Sequence, residues 1–293
     1  MNELTGAVSA SLFYGTALGL MALAFTIIYT VSQVFNFAVG QFMILAALLT
    51  TAVRFTGSAV VNDLIAIALV AAMGSATYLV ALRWPERRGA KPLTLVIITF
   101  GMGIVVEQVA VLAWGSYPLS EAPVLGGHFV LNGNYVPYQG LLLIAVAVLT
   151  VTGLGLLQRH TVLGKQLIAL GGNRVTARYY GINDRTLVAI AWPISFAVRA
   201  IVGTLYLPLT GVAITTDLSY GVAAFAAAVI GGLGNPAGAL FGGLIVAFVT
   251  NLTGVYVNPN ITDLLTFALL FAFLVFRPGG LTGRSIELLG PRA

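Results

Sequence analysis

Long apolar runs alternate with short polar connections along almost the whole chain. A helix that crosses the hydrocarbon core of a bilayer needs about 20 mostly apolar residues, and most runs reach that length. The pattern predicts an all-α, polytopic bundle of eight or nine transmembrane helices. The spans are expected at residues 7–30, 36–53, 61–82, 93–114, 139–157, 187–207, 221–233, 237–256 and 262–276.

Two of these spans are short or uncertain. Residues 36–53 follow a barely polar join and are expected to cross the membrane either fully or only in part. Residues 221–233 are too short to cross at 1.5 Å per residue. They must therefore tilt, lie buried in protein or form a half-helix.

Glycine and proline interrupt the apolar pattern at comparable places in the two halves, at 36–41 and at 231–238. Paired interruptions of this kind are typical of transporters built as an internal inverted repeat, with a solute site near the bilayer midplane. The alternative is that small residues only let helices pack closely. The repeat interpretation places these residues on the solute pathway: Asn36, Phe37, Gln41, Gly231, Gly232, Gly234 and Asn235.

Composition leaves no room for a soluble domain. Hydrophobic residues make up 59% of the 293 residues, charged residues 8%, and the mean hydropathy is +0.99. Residues 1–293 are expected to form a single transmembrane domain in contact with lipid. The net charge of +5 is explained by basic residues beside the spans rather than by a nucleic-acid partner. The absence of cysteine excludes disulfides and thiolate metal sites.

The basic residues fix a topology. Twelve of the 14 Lys and Arg residues lie in 83–92, in 158–186 and in the tail from Arg277. Short loops that carry Lys and Arg stay in the cytoplasm, so 115–138 and 208–220 are expected outside. The N-terminus is then also outside if the first two spans both cross. The acids of the alternate connections are Glu3, Asp63, Glu121, Asp217 and Asp263, accompanied only by the basic Arg54.

Glu107 and Arg199 are the two charges placed deep inside apolar spans. An Arg at the bilayer centre costs about 2.5–3.5 kcal/mol on insertion scales, so it needs a partner or water. Three interpretations stay open. Arg199 binds a carboxylate of the solute, it pairs with Glu107, or it extends to the lipid headgroups. The first two place both residues on the solute pathway.

The long basic segment 158–186 predicts a short cytoplasmic helix. Asn173 is a suitable N-cap, and Gly181 is a suitable residue just after the helix end. A short basic helix with two tyrosines suits docking into a groove on another protein. It equally suits a position on lipid headgroups, and the residues alone leave both interpretations open.

Catalysis finds no support in the motifs. His128 and His160 belong to no metal-ligand spacing. The Gly164-Lys165 pair lacks the glycine pattern of a phosphate-binding Walker loop. The chain is therefore expected to be a non-catalytic protein without its own cofactor.

Four motifs, in order, resemble the first permease subunit of branched-chain amino acid ABC transporters. The family's Asn-Phe-Ala-His-Gly-Glu stretch reads Asn-Phe-Ala-Val-Gly-Gln at 36–41, and its Gly-Gly-x-Gly with a following Gly-Ala lies within 231–239. The Glu-Ala-Ala-x-x-x-Gly pattern of ABC coupling loops reads Val-Thr-Ala at 175–177, followed by Gly181. The terminus at 277–283 resembles the family's Arg-Pro-x-Gly-Leu-x-Gly. The resemblance covers residues from about 10 to 284.

This resemblance implies a permease subunit of an ATP-driven importer in a bacterial inner membrane. It implies a second homologous permease as heterodimer partner, two ATP-binding subunits that hold ATP and Mg, and an extracytoplasmic solute-binding protein. The cargo would be amino acids or related small polar or carboxylate solutes. The residues assigned to the coupling loop are Arg174, Ala177, Arg178, Gly181, Ile182 and Asn183.

The sequence departs from the family at three of these positions. Val175 replaces the acid of the coupling pattern, and Val39 and Gln41 replace His and Glu. The cargo is therefore left open by the resemblance. The alternative function is a self-sufficient secondary transporter or facilitator, for which Glu107 would be the titrating group. An intramembrane enzyme lacks any nucleophile and base set.

Overall fold

The computed structural model describes residues 2–52, 57–115, 122–211, 217–277 and 279–282, and these are overwhelmingly helical. The helices are α1 (Asn2–Ser32), α2 (Val39–Ala52), α3 (Ala59–Thr77), α4 (Arg83–Arg87), α5 (Pro92–Trp114), α6 (Tyr138–His160), α7 (Val162–Gly172), α8 (Arg174–Tyr179), α9 (Asp184–Thr210), α10 (Asp217–Gly231), α11 (Pro236–Tyr256) and α12 (Thr262–Phe276). A π-helical turn, Tyr78–Leu82, joins α3 to α4, and a 3-10 turn, Pro259–Ile261, precedes α12.

The predicted all-α, polytopic bundle is confirmed. Among the described residues, seven helices are long and apolar enough to cross a membrane. The two uncertain spans correspond to shorter apolar helices, Val39–Ala52 and Ser219–Gly231. A third shorter apolar helix, Val162–Gly172, lies in the basic segment rather than at a predicted span. Without it, the seven long and two short helices agree with the predicted eight or nine spans.

Helices α1, α2 and α9 form the centre of the bundle, because their side chains are buried on nearly all sides. Glycines let the central helices approach closely. Gly19 of α1 faces the backbone of Leu240 and Gly243 on α11, and Gly203 of α9 faces the carbonyl of Met43 on α2. A methyl group at these glycines would collide with backbone atoms. Helices α5, α6 and α12 lie at the edge and leave one apolar face uncovered.

The two halves of the bundle pack in a reciprocal way. Helix α1 packs on α11 and α10, and α9 packs on α3 and α2. The short helices α2 and α10 also pack on each other. The topology makes α1, α2 and α3 run opposite to α9, α10 and α11. This arrangement is the one that an internal inverted repeat produces.

A β-hairpin marks the external end of the bundle. Strand β1 (His128–Leu131) pairs with β2 (Asn134–Pro137) through a turn in which Asn132 and Gly133 have φ of 50° and 82°. Two residues with positive φ are typical of a tight hairpin turn. Asn134 donates a hydrogen bond to Thr5, so the start of α1 lies at the same end.

The opposite end carries the basic residues. Gly171 of α7 packs on Thr30, near the end of α1. Helix α1 therefore runs from the hairpin side to the basic side, as the predicted external N-terminus requires. Parts of the predicted external connections, 116–121 and 212–216, lie outside the described residues, as do Arg54, Arg284 and Arg292.

Candidate functional site

The chain leaves the helical conformation between α1 and α2. Gln33 has a φ of 54°, and residues 33–37 have no regular structure before α2 begins at Val39. The side-chain oxygen Oδ1 of Asn36 accepts a hydrogen bond from the backbone N–H of Ala38 at 3.0 Å. Asn36 is only 1% exposed, and its Nδ2 has no hydrogen-bond partner. Asn36 thus closes a local turn just before α2 and presents an unpaired buried donor there.

Contacts with α5 give the depth of this break. Thr99 Oγ1 donates to the carbonyl oxygen of Phe35 at 3.3 Å, and Gly103 lies against the side chain of Gln41. Thr99 and Gly103 follow Pro92, at the cytoplasmic start of α5, by 7 and 11 residues. At 1.5 Å per residue they lie roughly 10 and 16 Å along the helix. The break therefore lies between one third and one half of the way across a core about 30 Å thick.

Five aromatic rings surround the break and form what we call the aromatic cluster: Phe25, Tyr29, Phe35, Phe37 and Phe225. The Phe225 ring of α10 lies 5.3 Å from Phe35, 5.5 Å from Phe37 and 6.0 Å from Phe25, centre to centre. Tyr29 stacks on Phe35 at 4.6 Å. Only Phe25 is fully buried. The cluster is therefore an apolar lining with partly open faces rather than a sealed core.

The second interruption has a different structure. Gly232 and Gly234 both have φ of 96°, and Asn235 caps α11 by accepting from the N–H groups of Ala237 and Gly238. The turn lies at the end of α10, whereas Gly221 and Phe225 of α10 neighbour Phe37. Phe225 lies six residues before Gly231, roughly 9 Å along the helix, and the close neighbours of Gly231 are Gly238 and Thr282 instead. The structure therefore does not bring Gly231, Gly232, Gly234 and Asn235 together with Asn36, Phe37 and Gln41.

Arg199 lies in the middle of α9 and is completely buried. Its Nε, Nη1 and Nη2 atoms have no hydrogen-bond partner, and its Cζ lies 4.5 Å from the centre of the Phe196 ring. Arg199 therefore does not bond Glu107, which is half-buried on α5. It also does not reach the lipid headgroups. Of the three interpretations that the sequence left open, these two do not match the structure.

Two cavities of about 610 and 720 Å³ open near the external end of α1 and α10. They share the side chains of Tyr14, Ser219 and Asn251. Tyr14 forms a triangle with Tyr206 and Tyr220, with ring centres 6.1 to 6.2 Å apart. The tyrosine triangle and the aromatic cluster both involve α1 and α10, at successive depths. No local pattern in the sequence indicated this triangle, because its members come from three distant helices.

The short helix predicted within 158–186 is confirmed as α8. Asn173 caps it by accepting from the N–H of Thr176 at 2.9 Å, and Gly181 follows it with a φ of 78°. Ala177 is buried, and Ile182 is partly buried against the same group of apolar side chains. Asn183 caps the next helix, α9, through the N–H of Thr186.

An ion cluster holds α8 against the membrane helices. Arg174 Nη2 lies 2.9 Å from Glu86 Oε1 and 3.0 Å from Asp184 Oδ2, and Arg178 also bonds Asp184. The bond and charge of Asp184 raise the pKa of Arg178. Sequence reasoning missed Glu86 and Asp184, because opposite charges in a mostly basic segment look like ordinary solvated residues.

The tip of α8 remains uncovered. Val175 is 63% exposed, Tyr179 86% and Tyr180 84%. Acids of this chain hold both arginines, and Arg174 is mostly covered, whereas Arg178 stays 57% exposed beside these apolar and aromatic side chains. Such a surface suits contact with another protein.

Comparison with known proteins places this geometry in a family. Residues 7–274 match the model of the family described as branched-chain amino acid transport system / permease component. The high-affinity branched-chain amino acid transport system permease protein LivH of Escherichia coli strain K12 is 29% identical over 295 residues, covering 93% of this chain and 94% of that protein. The corresponding protein BraD of Pseudomonas aeruginosa is 28% identical over 287 residues, 92% of each chain. No solved structure matches the chain.

Proposed function

The chain belongs to the branched-chain amino acid permease family, and on that premise we propose that it carries branched-chain amino acids or related small carboxylate solutes into the cell as the permease subunit of an ABC importer. The observation that supports this most is the helix break inside the membrane, where the start of α2 meets the aromatic cluster. The end of a helix offers unpaired N–H groups and a partial positive charge, which favour an anionic group. Phenyl rings next to it suit an aliphatic side chain.

The proposed route begins at the two external cavities. A solute delivered from outside passes the tyrosine triangle and reaches Asn36, Phe37 and Gln41 at the break. The turn that contains Gly231, Gly232, Gly234 and Asn235 lies farther toward the cytoplasmic side and forms the inner end of the route. The described residues thus supply polar groups at both ends and aromatic groups between them.

The proposed coupling surface is the tip of α8. Two ATP-binding subunits, which hold ATP and Mg themselves, dock on Val175, Tyr179 and Tyr180. The ion cluster passes their movement to α3 and α9 through Arg174 and Arg178. Gly181, Ile182 and Asn183 end α8 and fix its distance from α9, and Ala177 anchors it to the bundle.

The remaining partners follow from the family. We assign a second homologous permease to the uncovered face of α5, since that face carries the half-buried Glu107 within an apolar span. An extracytoplasmic solute-binding protein docks at the hairpin side. The multi-pass chain lies in the plasma membrane, which is the inner membrane in bacteria with two membranes.

Co-expression with the neighbouring genes, followed by mild-detergent purification and mass spectrometry, tests the assembly. Recovery of one or two ATPase subunits and a second permease is expected, with ATP-dependent uptake of leucine, isoleucine or valine in proteoliposomes. Uptake by the isolated chain without ATP would contradict the proposal. It would favour a secondary transporter with Glu107 as the titrating group.

A further inference from the structure

Arg199 is a buried cation for which the described residues offer no hydrogen-bond acceptor. All three guanidinium nitrogens are unpaired, and the side chain is 0% exposed. The guanidinium lies over the ring of Phe196. The interaction with a single ring face replaces only a small part of the hydration free energy that the guanidinium loses on leaving water. The residue is therefore in place for a group that this chain does not itself provide.

The guanidinium lies beside the first turn of α2. The guanidinium stacks on Phe196, whose ring lies 4.6 Å from the ring of Phe42. Gly203, one turn after Arg199 on α9, faces Met43. Helices α9 and α2 run side by side here. The Phe196 and Phe42 rings thus connect the guanidinium to the fourth residue of α2, and Asn36, whose Nδ2 is unpaired, lies three residues before this helix begins.

Three positive or hydrogen-donating features therefore lie around the first turn of α2 and the residues just before it. They are the guanidinium, the amide Nδ2 of Asn36 and the positive end of the α2 dipole. Placed together in a medium of low polarity, they repel one another unless an anion lies near them. The arrangement is complementary to a carboxylate, which accepts two parallel bonds from a guanidinium.

We propose that Arg199 and Asn36 bind the carboxylate of the transported solute, and that the aliphatic side chain of the solute lies against Phe37 and Phe225. This inference rests on the proposed function, because it names the chemical class recognised at the break. In the present structure the guanidinium is inaccessible from both sides of the membrane. The solute carboxylate binds a second conformation of the protein, in which Arg199 is accessible. Because the solute binds this conformation more tightly, it shifts the equilibrium toward it.

The test uses the complete complex of both permeases and the ATPase subunits in nanodiscs. Binding of radiolabelled leucine is measured by scintillation proximity, with leucinamide, which lacks the carboxylate, as competitor. We expect wild type to prefer leucine by at least about tenfold, as loss of a charge-assisted bond implies. Arg199→Gln should weaken leucine binding by about the same factor and abolish the preference. Arg199→Lys, which keeps the charge but loses the planar fork, should lie between them.

Arg185→Gln is the matched control, because it makes the same change at the exposed start of the same helix. It should leave leucine binding unchanged. Thermal unfolding of the Arg199→Gln complex separates binding from folding. Removing an unpaired buried charge should leave the midpoint equal or higher, so loss of binding cannot be ascribed to misfolding.

Several outcomes would overturn the inference. Unchanged leucine binding in Arg199→Gln would do so, as would a wild-type complex that binds leucinamide as well as leucine even if the variant fails to assemble. An inorganic anion is the competing occupant. If replacing chloride by gluconate lowers the wild-type unfolding midpoint while leucine binding does not depend on Arg199, chloride occupies the site and the inference is wrong. A wild-type complex that binds no leucine at all would overturn the proposed function as well.

Discussion

Arg174 Nη2 and Glu86 Oε1 form an ion pair of 2.9 Å between the cytoplasmic helix α8 and the end of the α3–α4 segment. The same guanidinium bonds Asp184, the first residue of α9. Because α3 and α9 pack on each other and α9 carries Arg199, the pair joins the outer surface of the protein to the buried break. We therefore expect a displacement of α8 to move both helices.

Replacing Arg174 by Gln should separate ATP hydrolysis from transport. The pair is partly exposed, so its contribution to the free energy of unfolding is at most about 1 kcal/mol. We expect assembly and basal ATPase activity to stay near wild type, while ATP-driven uptake falls several-fold. Measuring uptake and ATPase activity in the same proteoliposomes gives the number of solute molecules transported per ATP hydrolysed.

Arg185→Gln serves as the control for this change, since Arg185 is exposed and lies one residue from Asp184. Glu86→Gln should reproduce the effect of Arg174→Gln, and the double variant should be no worse than either single one. Additive losses would mean that the two residues act separately.

Gly203→Ala should destabilise the centre of the bundle. A methyl group there would overlap the carbonyl oxygen of Met43, and backbone can move only by shifting the whole of α2. Overpacking of this kind costs about 1–3 kcal/mol, so the unfolding midpoint in detergent should fall. At Gly153 on α6 an added methyl meets nothing within 4 Å. Gly153→Ala should therefore leave the midpoint unchanged or raise it.

Asn36→Ala should reduce both stability and uptake. Loss of the hydrogen bond to Ala38 costs about 0.5–1.5 kcal/mol, and the buried donor Nδ2 is lost with it. Asn36→Asp keeps this hydrogen bond but puts a negative charge just before α2, so uptake should fall further while the unfolding midpoint recovers.

Asn258→Ala is the control for loss of the side-chain hydrogen bond to the backbone. Asn258 accepts from the N–H of Asn260 at 2.9 Å in the same way, but on an exposed external turn. Its loss should leave uptake unaffected. Equal losses of uptake in both alanine variants would show that Asn36 has no role beyond its hydrogen bond to the backbone.

Phe225→Leu should weaken the recognition of aliphatic side chains at the break. The substitution keeps an apolar group but loses ring contacts to Phe25, Phe35 and Phe37, each worth about 0.5–1.5 kcal/mol. Uptake should fall more at low than at high solute concentration. Phe271→Leu is the control, since Phe271 is 69% exposed on α12. A Phe225→Leu variant with an unchanged concentration dependence would remove the aromatic cluster from the pathway.

Local signals in the sequence predicted the helices and the ends of α8 well. Asn173 and Gly181 act on groups only a few residues away, so their roles are visible without the fold. The hydrophobic pattern likewise gave the long spans, because each one is an independent requirement of the bilayer.

The assembly of the site was not predictable in the same way. Phe225 reaches Phe35 and Phe37 only because α10 packs on α2. Thr99 reaches Phe35 only because α5 also packs on α2. The two glycine-rich interruptions looked equivalent in sequence, yet they differ in structure: aromatic rings surround 36–41, whereas the turn at 231–238 packs on residues 280–282. That turn joins the short helix α10 to the long helix α11.

The carbonyl oxygens at the end of α10 find their donors far along the chain. Leu281 N–H binds the oxygen of Ile230 at 2.8 Å, and Thr282 Oγ1 binds that of Gly231 at 2.6 Å. These two carbonyl oxygens can therefore form their hydrogen bonds only after about fifty later residues have left the ribosome. During synthesis the end of α10 stays open to water or to membrane-insertion factors. This junction can therefore close only after α11 and α12 have been synthesised.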